Sequence, residues 1–215
     1  MITSAKTIIF DCDGVILNSN KVKSEAYFKV VSAHYGSKLA TLLVEYLSMN
    51  TGNPREYFFN YFLKNIVPQN ISGPGVEQLL SEVSKEICKG LMECEISESL
   101  FNLRNKLPNT KWLVVSGGVE RELKSVFDKR AIFDLFDGGI YGGPMSKDEI
   151  LSSLIQQGSI NYPAVYLGDS SYDYEVSSRY NLDFLFISDW SDFKDWKNYC
   201  NTNKLSFINS LYDLL

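Results

Sequence analysis

Asp11, Cys12, Asp13 and Gly14 stand directly after the apolar run Thr7-Ile8-Ile9-Phe10, which puts two carboxylates with one small residue between them on a tight turn. Two such anions repel each other, and the arrangement is costly unless one is protonated or a cation lies between them. A hard divalent ion with oxygen ligands is the natural partner, and Mg2+ suits the geometry. A second acidic group, Gly168-Asp169-Ser170-Ser171-Tyr172-Asp173, follows the run Ala164-Val165-Tyr166-Leu167 and opens a helical pattern. Asp169 can complete the metal shell, and Asp173 can support it. Ser116-Gly117-Gly118 follows a third run, Trp112-Leu113-Val114-Val115, with small residues whose backbone amides can approach an anion at a helix start. Lys147, just ahead of a helical pattern over 148–157, supplies a positive charge.

These groups can act together only if the runs before them are neighbouring strands. If the runs belong to one parallel sheet, Asp11, Ser116 and Asp169 gather along its carboxyl edge, where open α/β sheets bind ligands, particularly where the strand order reverses. A fourth run, Asp183-Phe184-Leu185-Phe186-Ile187, ends in Ser188. From about residue 93 the pattern alternates strand and helix: 112–115 then 119–127, 164–167 then 172–179, 183–187 then 192–199. That alternation is the mark of parallel βαβ units. Between Gly14 and residue 93 the rhythm is helical instead. Ala26, Tyr27, Val30, Val31 and His34 repeat at three and four, as do Leu39, Leu42, Leu43, Tyr46 and Leu47, then Tyr57, Phe58, Tyr61 and Phe62, then Val76, Leu79, Leu80, Val83 and Ile87. Breaks fall at Gly36, at Gly52-Asn53-Pro54 and at Ser72-Gly73-Pro74-Gly75. The expected fold is therefore α/β, a Rossmann-like parallel sheet formed by residues 1–15 and 93–215, with an inserted helical cap domain over 16–92.

Bulk properties narrow the function classes. Of 215 residues, 45% are hydrophobic and 22% charged, which is ordinary for a globular chain, and no apolar run approaches the ~20 residues a bilayer crossing needs. The formal charge of −5 argues against an extended basic surface for nucleic acid. A negative protein can still hold an anion locally, given a cation or helix-end amides to meet it. Met1 to Lys6 lead into the first run without the hydrophobic segment of a secretory signal, so residence in the cytoplasm is expected. Cys12, Cys88, Cys94 and Cys200 are scattered, with no histidine at metal-ligand spacing, which points to reduced thiols and away from zinc.

The set Asp11-Cys12-Asp13-Gly14-Val15, Ser116, Lys147 and Gly168-Asp169-Ser170-x-x-Asp173 resembles the four ordered motifs of the haloacid dehalogenase superfamily of phosphotransferases. More narrowly it looks like the phosphoglycolate phosphatase and β-phosphoglucomutase branch, whose helical cap follows the first strand. The resemblance implies that Asp11 is the nucleophile, forming an aspartyl-phosphate, and that Asp13 is the acid and base. It implies phosphate binding by Ser116, Gly117 and Lys147, with Ser116 and Lys147 also catalytic. The implied Mg2+ ligands are Asp11, the Asp13 backbone carbonyl and Asp169, with Asp173 holding a metal-bound water or Lys147. The superfamily's dehalogenases lack an acid at the position of Asp13, so oxygen-leaving phosphoryl transfer is favoured here. The segment Thr51-Gly52-Asn53-Pro54-Arg55-Glu56 resembles the cap loop that meets substrate, and Arg55 is the candidate specificity residue. Asn18 stands where relatives commonly carry Asp, and Asn20 where many carry an acidic residue.

The implied activity is a Mg-dependent phosphatase acting on a small phosphorylated metabolite, phosphoglycolate or a sugar phosphate. A phosphosugar mutase of similar construction is the alternative enzyme, and a non-catalytic binding or regulatory protein on the same fold is the alternative of another class. Plainer roles also exist for the same residues. Asp169 and Asp173 can simply cap and charge a helix start. Cys12 reads as a small filler between acids that would raise its pKa. His34 reads as a dipole partner near a helix end. The Tyr57, Phe58, Tyr61, Phe62 stripe reads as cap core, and Trp190 and Trp196 as packing or edge residues.

Overall fold

Residues 2–50 and 54–215 are described by the computed structural model of the chain. They divide into two compact units, one formed by Met1–Asn20 with Cys94–Leu215 and the other by Lys21–Glu93.

The first unit is built on six strands: β1 (Thr7–Phe10), β2 (Lys111–Val119), β3 (Ile140–Gly143), β4 (Ala164–Gly168), β5 (Asp183–Ile187) and β6 (Ser206–Ile208). They form one sheet in the order β3-β2-β1-β4-β5-β6, every pair parallel. The order reverses between β1 and β4, which continue toward opposite edges. β1 and β4 are buried along their whole length because a parallel sheet is covered on both faces, which is why both read as unbroken apolar runs. One face packs Ile9, Leu113, Tyr166 and Phe186 against Leu151, Leu154 and Val176. The other carries an aromatic group in which Phe10 lies 4.8 Å from Trp112 and 5.6 Å from Phe136, centroid to centroid. Each such side chain gains about 1.5–3 kcal/mol on leaving water. Helices α5 (Leu100–Lys106), α6 (Glu120–Lys129), α7 (Lys147–Gln156), α8 (Ser171–Arg179) and α9 (Trp196–Asn203) follow one another through this unit.

The second unit holds α2 (Ser37–Met49), α3 (Arg55–Tyr61), a π-helical turn over Phe62–Ile66, and α4 (Val76–Glu93). α1 (Asn20–Tyr35) enters it from the first unit. The buried positions on α1 and α4 follow the helical period: Ala26, Tyr27, Val30 and Val31 on the former, and Leu79, Val83, Ile87 and Leu91 on the latter. Gly90 permits a close crossing, since a Cβ there would lie 2.5 Å from Val22 Cγ1.

Several expectations need correction. α9 begins at Trp196, not near Asp192, because the Ser191 hydroxyl accepts the Phe193 amide and holds that stretch in a turn. α7 begins at Lys147 itself, since a capping box between Ser146 and Glu149 starts the helix one residue earlier. β2 runs on through Ser116-Gly117-Gly118 with its register broken between Val115 and Val119, so those residues form an irregular strand end before α6. β3 and β6 have no apolar run to announce them. β3 is half glycine, and a Cβ at Gly142 would lie 2.4 Å from the Gly118 carbonyl oxygen. The tyrosine stripe is only partly core. Phe58 and Phe62 are buried, but Tyr57 is 41% exposed, Phe59 takes an inner place, and Tyr61 stacks on Tyr46 at 3.7 Å. No described helix is long and apolar enough to cross a membrane.

Candidate active site

The carboxyl ends of β1 and β4 meet where the strand order reverses, and the acidic residues cluster there. Asp11 follows β1, and its amide donates to the Leu167 carbonyl of β4 at 2.9 Å, which ties the two strand ends together. Asp11, Asp169 and Asp173 are buried, and each offers a carboxylate oxygen within 4.8 Å of the others.

Lys147 is what makes this cluster tolerable. Its ammonium lies 2.8 Å from Asp11 Oδ1 and 2.6 Å from Asp173 Oδ1, itself only 8% exposed. Burial presses this amine's pKa down, yet Asp11 and Asp173 together hold it well above the usual lysine value, so it carries its charge. Asp11 Oδ1 also accepts the Cys12 amide at 2.7 Å. Asp173 is held on every side: Tyr166 donates to Oδ1 at 3.1 Å, and the Ser170 hydroxyl donates to Oδ2 at 2.5 Å. Ser170 is also the N-cap of α8, accepting the Asp173 amide.

One lysine against three carboxylates leaves a formal charge of −2 in a buried space. The consequence is visible in proton affinity. Burial first, then the charges of Asp173 and Asp13, push the Asp11 carboxyl up to about 7 despite Lys147. Burial and the charges of Asp11 and Asp173 push Asp169 up to about 8, against the pull of the Asn20 hydrogen bond. A divalent cation among these oxygens would neutralise the excess, and an all-oxygen carboxylate set is the chemistry Mg2+ prefers. The residues fit such an ion.

Asp169 is placed by neighbours that sequence reasoning had not given a role. Asn20 donates from one nitrogen to Asp169 Oδ2 and to the Trp190 carbonyl, each at 2.7 Å, while the Ser191 hydroxyl donates to the Asp169 carbonyl. Gly14 has φ +78, and a Cβ there would fall 2.1 Å from Asp169 Oδ2, so glycine is required both by its backbone and by the carboxylate beside it. The Asp13 side chain stands outside the clustered three and accepts the Ser19 hydroxyl at 2.6 Å. The cap of α8 is Ser170 and not Asp169 or Asp173, of which only Asp173 lies in the first turn; the spacing Ser170-x-x-Asp173 is the signal that could have found it. Tyr166 was detectable as a hydroxyl inside a fully apolar run, which demands a buried partner.

The remaining candidates divide. Ser116 lies at the same edge, on the strand beside β1, completely buried, its Oγ accepting the Gly118 amide at 3.0 Å. Gly117 faces open space. Arg55 belongs to the other unit, where it donates to the Ser84 hydroxyl at 2.9 Å. Thr51, Gly52 and Asn53 of the expected cap loop lie outside the described residues. Cys12 is completely buried, consistent with a filler, and His34 meets Glu82 of α4 at 2.7 Å in addition to standing near the end of α1.

A family model described as haloacid dehalogenase-like hydrolase matches residues 8–187, most of the chain and all of the clustered acids. The chain belongs to the haloacid dehalogenase-like hydrolase family. No curated protein sequence matches it. Among solved structures it is similar to CbbY from Rhodobacter sphaeroides in complex with phosphate, at 14% identity and a TM-score of 0.70 over 98% of this chain and 96% of that one. YfnB from Bacillus subtilis, solved bound to magnesium, is similar at 15% identity and a TM-score of 0.70, over 98% and 96%. A Thermotoga maritima protein provisionally named a beta-phosphoglucomutase is similar at 16% identity and a TM-score of 0.69, over 94% of each chain. At these identities the likeness establishes a shared fold. For this haloacid dehalogenase-like hydrolase the chemistry has to be argued from its own residues.

Proposed function

We propose that this hydrolase is a Mg2+-dependent phosphatase that cleaves a small phosphorylated metabolite, of the phosphoglycolate or sugar phosphate class, through an aspartyl-phosphate on Asp11. The observation that carries the reading is the buried Lys147 ammonium shared between Asp11 and Asp173, with Asp169 in the same 4.8 Å group. It gives a carboxylate held in one place beside a second acid that can share an ion with it.

Asp11, Asp169 and the Asp13 backbone carbonyl would hold the ion, which when bound supplies positive charge to Asp11 and to the phosphoryl oxygens. Asp11 attacks phosphorus, and the ester P–O bond breaks as the leaving oxygen takes a proton from Asp13. Asp13 then removes a proton from water, whose oxygen attacks phosphorus, releasing inorganic phosphate and restoring Asp11. The Ser19 hydrogen bond keeps Asp13 aimed for both steps. Lys147 and Ser116, with the Gly117 amide, balance charge on the phosphoryl group as it transfers. Asp173 anchors Lys147. Arg55, in the helical cap unit, is the proposed determinant of substrate choice.

A phosphate-ester panel with Mg2+, run beside Asp11→Asn, tests this. Wild-type release of inorganic phosphate is expected, with the variant reduced by a thousandfold or more, on the order of loss seen when a covalent nucleophile is removed. Activity that survives in Asp11→Asn overturns the assignment. Isomerised phosphosugar from a hexose 1-phosphate, without free phosphate, would make the enzyme a mutase. Binding without turnover of any ester would make it a regulatory protein.

A further inference from the structure

Tyr166 lies in the middle of β4, completely buried, with its ring stacked 6.3 Å from Phe184 in the sheet core. Its hydroxyl leaves that apolar setting at one point only. There it meets two acceptors at nearly equal distance, Asp173 Oδ1 at 3.1 Å and the Val115 carbonyl at 3.2 Å. Val115 is the last regularly paired residue of β2 before the strand end that carries Ser116. One hydroxyl therefore touches the groups that precede or hold two of the proposed phosphate contacts, Ser116 and Lys147.

We infer that Tyr166 is a positioning residue for Lys147, acting through Asp173; the inference rests on the proposed phosphatase reading. A carboxylate bearing Lys147, Ser170 and Tyr166 as donors has its oxygens fixed in direction, and Lys147 is long enough to sit in many places unless its partner is fixed. Of the two acceptors, the charged one draws the single hydroxyl proton more strongly. With the hydroxyl gone, Asp173 keeps Lys147 on Oδ1 and Ser170 on Oδ2 but loses one of the three donors that fix its direction, the one on the oxygen that holds Lys147. The ammonium is then held less firmly at the place where it meets Asp11 and Asp173 together. Displacements of about an ångström in such a group cost rate more than affinity.

Tyr166→Phe keeps the ring and deletes the hydroxyl alone. It is expected to lower kcat for an aryl phosphate about tenfold while leaving KM within about twofold. In an Asp173→Asn background the same change is expected to cost less than twofold, because the charged partner it acts through is gone. An equal loss in both backgrounds, or a rise in KM with kcat intact, would overturn the proposal. A second measurement does not need turnover. A buried, hydrogen-bonded lysine ammonium gives a resolved proton–nitrogen resonance, assigned here by its loss in Lys147→Met. Tyr166→Phe is expected to shift or broaden that resonance, and an unchanged one would sink the inference. Should wild type hydrolyse no ester, the phosphatase reading falls while the resonance still decides whether Tyr166 positions Lys147.

Discussion

Asp169 and Asp11 are carboxylates whose surroundings favour the proton, with pKa values raised to about 8 and about 7 by burial first and then by neighbouring carboxylates, Asp11 and Asp173 for the one and Asp173 and Asp13 for the other. A group raised in this way contributes stability below its unfolded pKa near 4, and loses it as pH climbs through the folded value. The metal-free protein should therefore weaken between about pH 4 and pH 8, and a bound divalent cation should return what is lost. The magnesium-induced rise in Tm is expected to be small at pH 5.5 and to grow steadily to pH 8.5, since the ion must displace protons from both acids. Asp169→Asn removes one of the charges, so its metal-free Tm at pH 8 should exceed that of wild type, and added magnesium should no longer raise it. Differential scanning fluorimetry across pH, with and without magnesium, checks both. A magnesium effect of the same size at pH 5.5 and 8.5 would contradict the assigned site.

The elements place these acids as much as the residues do. Lys147 is the first residue of α7, and the helix begins there because the Ser146 hydroxyl accepts the Glu149 amide while the Glu149 carboxylate accepts the Ser146 amide. This box lies on the surface, beside a lysine that does not. Ser146→Ala should cost about 1 kcal/mol, a fall of about 2–4 °C in Tm for a chain of this size. Because the cap sets the start of the helix and so the root of Lys147, kcat should fall with it, by about twofold to fivefold. Thermal melts and steady-state rates on the same preparation separate the two effects, and a Tm that does not move would remove the capping box from the account. α8 shows the same economy: Ser170 caps the helix and steadies Asp173, so the plain capping role and the supporting role at the site fall on one side chain.

Across the whole molecule, the acids, the lysine and the serine all belong to the sheet unit, whereas Arg55 belongs to the helical one. That separation gives the substrate assignment a clear test. Arg55→Ala should raise KM for the true substrate more than for a generic aryl phosphate, with kcat on the aryl phosphate nearly unchanged. Equal effects on both would remove Arg55 from substrate recognition, and a drop in Tm with no change in either KM would assign it to its hydrogen bond with Ser84.

Much of this was legible in one dimension. The runs Thr7–Phe10, Trp112-Leu113-Val114-Val115, Ala164–Gly168 and Asp183–Ile187 announce parallel strands because strands covered on both faces are apolar through their centres, and the polar residue that ends each run is then forced to the sheet edge. The helical insertion was legible from its period. β3 and β6 were not, since a glycine-rich segment and a three-residue exposed edge carry no such pattern. The partners of the acids were legible only in part. The resemblance offered Lys147 or a metal-bound water for Asp173, whereas Asn20 reaches Asp169 across 149 positions, a contact that hydrophobic periodicity does not encode.

What the sequence alone determined was which residues could do chemistry and at which edge they would gather, because residue type and strand period are local properties. Only the tertiary structure decided that Lys147 is shared by two carboxylates and that Tyr166 and Ser170 hold one of them. It also decided that burial leaves the cluster short of positive charge. Desolvation and pairwise distance exist only once the chain has closed around them.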